Sequence, residues 1–128
     1  MSDEASSSEL KDQAAIVVGV LLQGEDEQML VDDLDELESL LKTLGAKSKG
    51  RVIQKRQRFT AKLLLGEGKA EEVRQLAEDR KANLVVFDRP LTPPQVRNLE
   101  KLTCREVLDR TGVILEIFAR HARTTEAK

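Results

Sequence analysis

The longest apolar stretch of the chain is Ala14-Ala15-Ile16-Val17-Val18-Gly19-Val20-Leu21-Leu22. It has strand length, is rich in β-branched residues and does not alternate with polar ones, the pattern of a strand buried on both faces at the centre of a parallel sheet. Leu30, Leu34, Leu37, Leu41 and Leu44 follow at spacings of four, three, four and three, which sets them on one face of a helix that Gly45 ends. Ala46 to Lys55 places Val52 and Ile53 among basic residues and predicts a second, more exposed strand at a sheet edge, where lysines discourage wrong pairing. After Leu63-Leu64-Leu65, a second helical face is formed by Ala70, Val73, Leu76 and Ala77, with Glu67, Glu71 and Glu72 in its first turns. Asn83–Asp88 predicts a third strand. Thr92, Pro93 and Gln95 then give a cap, a first-turn proline and a capping-box partner for a helix buried through Val96, Leu99 and Leu102. Arg105–Asp109 predicts a fourth strand, and Val113, Ile114, Ile117, Phe118 and Ala122 mark a last helix starting near Thr111.

Strand and helix thus alternate four times, which predicts one small α/β domain with a four-stranded, mainly parallel sheet flanked by helices. The apolar first strand belongs in the middle, giving the order 2-1-3-4. Residues 1–12, polar and Ser-rich, read as a disordered tail ahead of a domain over 13–128. Good helix formers continue through residues 113–128 with no glycine, asparagine or proline stop, as in a helix cut by the chain end.

The 128 residues, 34% charged and 40% hydrophobic, fit one globular domain. No apolar run of membrane-spanning length and no export leader is visible, so the cytoplasm is the expected compartment. One cysteine, Cys104, and one histidine, His121, exclude an internal disulfide and a His/Cys metal cluster. A net charge of −2 with no Trp or Tyr argues against a strongly basic, base-stacking nucleic-acid binder. The distribution is less even: 25–38 is acidic, whereas 47–58 carries Lys47, Lys49, Arg51, Lys55, Arg56 and Arg58 and no acid. That run reads equally as an RNA-phosphate contact and as a solvated edge strand.

Gly66-Glu67-Gly68-Lys69 interrupts the passage from an apolar run to a helix. A phosphate loop needs a longer Gly-x-x-x-x-Gly-Lys-Ser/Thr, with backbone N–H groups around the phosphates and a hydroxyl on magnesium. Here Ala70 replaces the hydroxyl and Glu67 would repel phosphate. What survives is a tight turn whose helix N-terminus, with Gly66, Gly68 and Lys69, could take an anion. Asp109-Arg110-Thr111-Gly112 matches the Asp-x-x-Gly spacing of GTPase magnesium motifs, but with Asp109 or Thr111 as a helix cap the same residues need no ligand. Asp88-Arg89 and Asp109-Arg110 fall just past strand ends, the edge where open α/β sheets bind ligands. Neither has a nucleophile beside it, and His121 sits on a polar helix face.

In order, ELESLLKTLGAK, GRVIQKR, LGEGKAEEV, LVVFDRPLTPPQVRNLEK and VLDRTGVILEIFARHARTTEAK resemble the N-terminal domain of the HflX family of translational GTPases, over about Asp35 to Lys128. Gln95, Arg97, Asn98, Leu99 and Glu100, with the Asp-Arg-Thr-Gly segment, carry the likeness. The resemblance implies an accessory domain, not itself an enzyme, followed in the family by a helical hairpin and a GTPase domain. GTP and Mg2+ would bind in that GTPase domain, and no cofactor is expected in this chain. It further implies that the large ribosomal subunit and its rRNA, the hairpin and the GTPase domain are partners. An independent ATP- or GTP-binding role for the Gly66–Lys69 turn is the alternative. The family commonly has lysine at the position of Glu67 and a basic residue at that of His121.

Overall fold

The structure, a computed structural model, describes residues 13–56 and 65–126, with side chains described as far as Ala119. The expected tail over residues 1–12 and the Leu63-Leu64 segment lie outside them. Four strands alternate with four helices: β1 (Ala14–Leu22), α1 (Glu27–Thr43), β2 (Lys47–Arg56), α2 (Glu67–Arg80), β3 (Leu84–Phe87), α3 (Pro93–Thr103), β4 (Glu106–Asp109) and α4 (Arg110–Glu126). The sheet order is β2-β1-β3-β4, with every pair parallel, as the hydrophobic pattern predicts. Val18 of β1 lies opposite Val52 of β2 on one side and Phe87 of β3 on the other.

The chain moves from β1 to one neighbour and then crosses back over β1 to β3 and β4. Right-handed crossovers therefore put α1 on one face and α2 and α3 on the other; α4 folds back on the α1 side. Two cores result. Ile16, Val18 and Val20 pack with Val52, Val85, Phe87, Val73 and Leu99, and Ala15, Val17 and Leu21 pack with Leu34, Leu37, Leu41 and Val113. Successive β1 residues enter opposite cores, which is why the run is apolar throughout. Each fully buried Val, Leu, Ile or Phe contributes about 1.5–3 kcal/mol before entropy is counted. Gly19 faces α1, where a Cβ would stand 3.1 Å from Cδ1 of both Leu30 and Leu34. Its missing side chain lets α1 press against the central strand.

Helix ends follow local chemistry. The Asp26 side chain accepts from Gln28 N–H at the start of α1, and Thr92 and Gln95 form the predicted capping box at α3. Gly45, at φ 87°, follows the last turn of α1, while Lys81 and Cys104 end α2 and α3 in the left-handed region. β3 and β4 are shorter than the pattern predicts. The flanking Asn83 is used otherwise: its Oδ1 accepts from Ala14 N–H at 3.2 Å. α4 begins at Arg110, directly after β4. Among the described residues no helix is long and apolar enough to cross a membrane.

Candidate functional site

The opposite crossovers out of β1 and β3 open a crevice at their C-terminal ends, the usual ligand position of a doubly wound sheet. A cavity of about 410 Å3 lies there, lined by Val20, Leu21, Met29, Leu30, Asp33 and Asp88 among others. Arg89 crosses it. Its Nη2 donates to Glu25 Oε1 at 2.8 Å, to Oε2 at 3.0 Å and to the Val20 carbonyl at 3.2 Å. Glu25 Oε1 also accepts from Leu22 N–H at 2.8 Å. The Leu22 amide first, and Arg89 after it, hold the Glu25 carboxyl below the usual range.

Beside this pair Arg110 joins three elements. Nη1 donates to Asp88 Oδ1 at 3.1 Å, past the end of β3, and Nη2 to Glu36 Oε1 of α1 at 2.6 Å. Burial, with the charge of Asp33 added, still pushes the Asp88 carboxyl above its ordinary value against the pull of Arg110 and Arg89. Asp109 uses both oxygens within the fold: Oδ1 accepts from Gly112 N–H and Oδ2 from Leu91 N–H, each at 2.8 Å. The Asp109–Gly112 segment is thus a helix start clasped to the β3–α3 loop, as its plainer reading holds. Among the described residues no His, Cys, Asp and Glu group is placed to hold a metal ion. The side chain of His121 lies outside the described residues.

Four helix N-termini meet this edge of the sheet, α4 with Asp109 at its start, and the other three differ in how their amides are occupied. Asp26 caps α1. Thr92 caps α3, where Pro93 and Pro94 also remove two donors. At α2, Gly66 supplies no side-chain cap. Gly66 N–H donates to Gln54 Oε1 at 2.9 Å, among the described residues no neighbouring atom comes within 4 Å of where a Cβ on Gly68 would stand, and Lys69 Nζ pairs with Glu72 Oε1 at 3.0 Å. Among the described residues nothing crowds the turn expected to accept an anion at Gly68, but its lysine is drawn to a neighbouring acid one turn along.

The basic run does not form one surface. Successive strand side chains point to opposite faces, so the run divides between the α1 and α2 sides, and a register shift between Ala15 and Ile16 breaks its phase near Lys49. Arg51 turns to α1 and is held by Asp35 and by Glu38, whose Oε1 and Oε2 lie 2.8 and 3.0 Å away. These carboxylates raise the Arg51 pKa, and Arg51 in turn lowers that of Glu38. Lys55, on the same side, sits 3.4 Å from Glu27. Arg56 lies on the α2 side, with Nη1 3.7 Å from where a Gly66 Cβ would stand. Lys55 and Arg56 share the wall of a second crevice, about 350 Å3, with Gly24 and Glu25. Lys47 and Lys49 are at the far end of β2, roughly 25 Å away along the strand, and Arg58 is outside the described residues. The ligand edge thus receives Lys55, Arg56, Gly66, Gly68 and Lys69 from the expected set, while Arg51 is consumed in structural pairing.

Arg89, Arg110, Glu25 and Glu36 were not singled out by composition or spacing as partners. The only local signal is the repeated Asp-Arg dipeptide after β3 and β4; their acids lie 64 and 74 residues away in the chain.

Residues 31–119 match the protein family described as GTP-binding GTPase N-terminal. The chain belongs to this family. The match begins in α1 and runs into α4, leaving the central strand β1 outside it. Relatives of this GTPase N-terminal domain include a protein named GTPase HflX from Akkermansia muciniphila, 52% identical over 94 residues, which cover 73% of this chain and 22% of that protein. GTPase HflX of Lacrimispora saccharolytica is 43% identical over 94% of the chain and 28% of its own length. GTPase HflX of Escherichia coli is 40% identical over 91% of the chain and 26% of its own length. The chain is therefore an HflX-type N-terminal domain, and it spans about a quarter of the length of these relatives.

Proposed function

We propose that this chain is an accessory binding module of an HflX-type GTPase, which helps dock its parent on the large ribosomal subunit and restrains the parent's nucleotide switch. GTP turnover, with GTP and Mg2+, belongs in this reading to the remainder of the parent, in the cytoplasm where ribosomes are. The observation that carries it is the pairing at the ligand edge: Arg89 is held by Glu25, and Arg110 by Asp88 and Glu36, so the arginines at and beside the crevice where a doubly wound sheet would hold a nucleotide are engaged within the fold. An edge so occupied favours a surface role over catalysis. Phosphate contacts fall to Lys55 and Arg56 at this edge and to Lys47 and Lys49 at the other end of β2, with Arg51 excluded by its pairing. Reversing Lys55→Glu and Arg56→Glu in the full-length protein should weaken co-sedimentation with large subunits and flatten its salt dependence by up to about two contacts' worth of slope. Unchanged binding, with the fold intact by circular dichroism, rejects the assignment.

Two features favour a second reading, nucleotide binding by the domain itself: α2 has no side-chain cap at Gly66, and no described neighbour crowds Gly68 in its first turn. Titration of labelled chain with ATP and GTP tests this by NMR. Shifts clustered at Gly66, Gly68 and Lys69 support it, and their absence at millimolar ligand removes it.

A further inference from the structure

The cavity at the C-terminal ends of β1 and β3 takes no part in the phosphate contacts of β2. At about 410 Å3 it has the size of a small-molecule site. Its apolar lining comes from Val20 and Leu21 of β1 and from Met29 and Leu30 of α1, and Met29 is 63% exposed. Its polar lining is unevenly charged, with Glu25, Asp26, Asp33 and Asp88 facing one described cation, Arg89. Two of the acids are already engaged: Glu25 holds Arg89 and the Leu22 amide, and Asp26 caps α1. Asp33, one turn after Met29 on α1, receives no hydrogen bond or ion pair from any described residue. It lies close enough to Asp88 for its charge to help push that carboxyl up. Arg110 takes Oδ1 of Asp88, which leaves acceptor capacity on the other oxygen. Two carboxylates that repel each other thus stand beside an apolar wall, and a cation between them would relieve the repulsion.

We propose that this cavity binds a small aliphatic amine, its ammonium hydrogen-bonded to Asp33 and Asp88 and its carbon stem laid against Met29 and Leu30. Chemistry selects the class. An alkylammonium carries three donors on one compact charge, and the adaptable thioether of Met29 suits a flexible stem. A metal ion needs a fuller ligand set, and among the described residues no His, Cys, Asp and Glu group is placed to hold one. A quaternary ammonium needs an aromatic cage, and the described lining has no aromatic side chain. An anion would meet Asp33 and Asp88 while Arg89 is held by Glu25.

NMR titration of the labelled 128-residue chain with putrescine at fixed ionic strength tests this. Saturable shifts should centre on the Met29 methyl, Val20, Leu30 and Asp33, with half-saturation near ~1 mM. Methylamine, which has the charge without the stem, should bind about fivefold or more weakly. Asp33→Asn should weaken putrescine about fivefold or more. Asp32→Asn removes the same charge roughly 100° around α1 and should change binding by less than about twofold; circular dichroism checks both folds. Met29→Ala should weaken putrescine by about threefold through the lost stem contact. Shifts that follow ionic strength alone, methylamine binding as tightly as putrescine, or equal effects of the two Asn variants overturn the proposal. So does binding of acetyl-glycyl-lysyl-glycine amide at these residues without binding of putrescine, which assigns the cavity to a lysine of a protein partner.

Discussion

Arg110→Met removes the guanidinium that joins β3, α1 and α4 while keeping the aliphatic stem. The side chain of Asp88 is 15% exposed, that of Arg110 26% and that of Glu36 61%. Loss of one partner of a fully buried pair costs about 3–5 kcal/mol. Asp88 retains some water and the more distant field of Arg89, so the expected loss at neutral pH is about 1.5–2.5 kcal/mol, or roughly 6–10 °C in melting temperature for a domain of this size. Glu36→Gln, at the exposed end of the same bridge, should cost under about 0.5 kcal/mol. The pH dependence separates this cause from a simple packing loss. The folded pKa of Asp88 is raised above its unfolded value, so its contribution to stability is greatest below the unfolded pKa and declines as pH rises through the folded one. Without Arg110 that folded pKa rises further, and the decline deepens. The deficit of Arg110→Met should therefore be largest near pH 7.5 and shrink as acid protonates Asp88; Asp88→Asn in the same background should recover most of it. Urea unfolding of the variants between pH 4.5 and pH 7.5 measures all of this. A deficit under about 0.5 kcal/mol at pH 7.5, or one that stays constant with pH, would refute the assignment of Asp88 as the group that needs the cation.

Gly19→Val should destabilise by about 2–3 kcal/mol, because its methyls would enter space held by the Leu30 and Leu34 methyls 3.1 Å from the Cβ position; partial recovery with Leu34→Ala, seen by denaturant unfolding, checks the cause. Thr92→Ala, which deletes the side-chain half of the capping box, should cost about 1 kcal/mol by the same measurement. Glu25→Gln should remove stability that the wild type holds above the ordinary glutamate pKa and loses as pH falls through the depressed one. Because the Glu25 side chain is 41% exposed, the effect at pH 7 should be no more than about 1 kcal/mol, and wild-type and variant curves that run parallel down to pH 3 would contradict it.

Secondary structure, sheet order and both core faces were legible in the sequence by itself because they depend on short-range periodicity. A nine-residue apolar run can only be a strand buried twice, and leucines at helical spacing can only cover one face of it. The caps at Thr92 and Asp109 were legible for the same reason, since donor and acceptor lie three residues apart. What occupies the ligand edge was decided by tertiary structure alone. Glu25 meets Arg89 across 64 residues and Glu36 meets Arg110 across 74, and no local pattern records which acid a given arginine will reach. The basic run shows the same limit from the other side: cations close together in sequence look like one surface, but strand alternation and a register shift send the five that are described, Lys47, Lys49, Arg51, Lys55 and Arg56, to two faces and two ends. Local periodicity sets which elements form and which face each buries; only the packing of those elements decides which charges remain available to a partner.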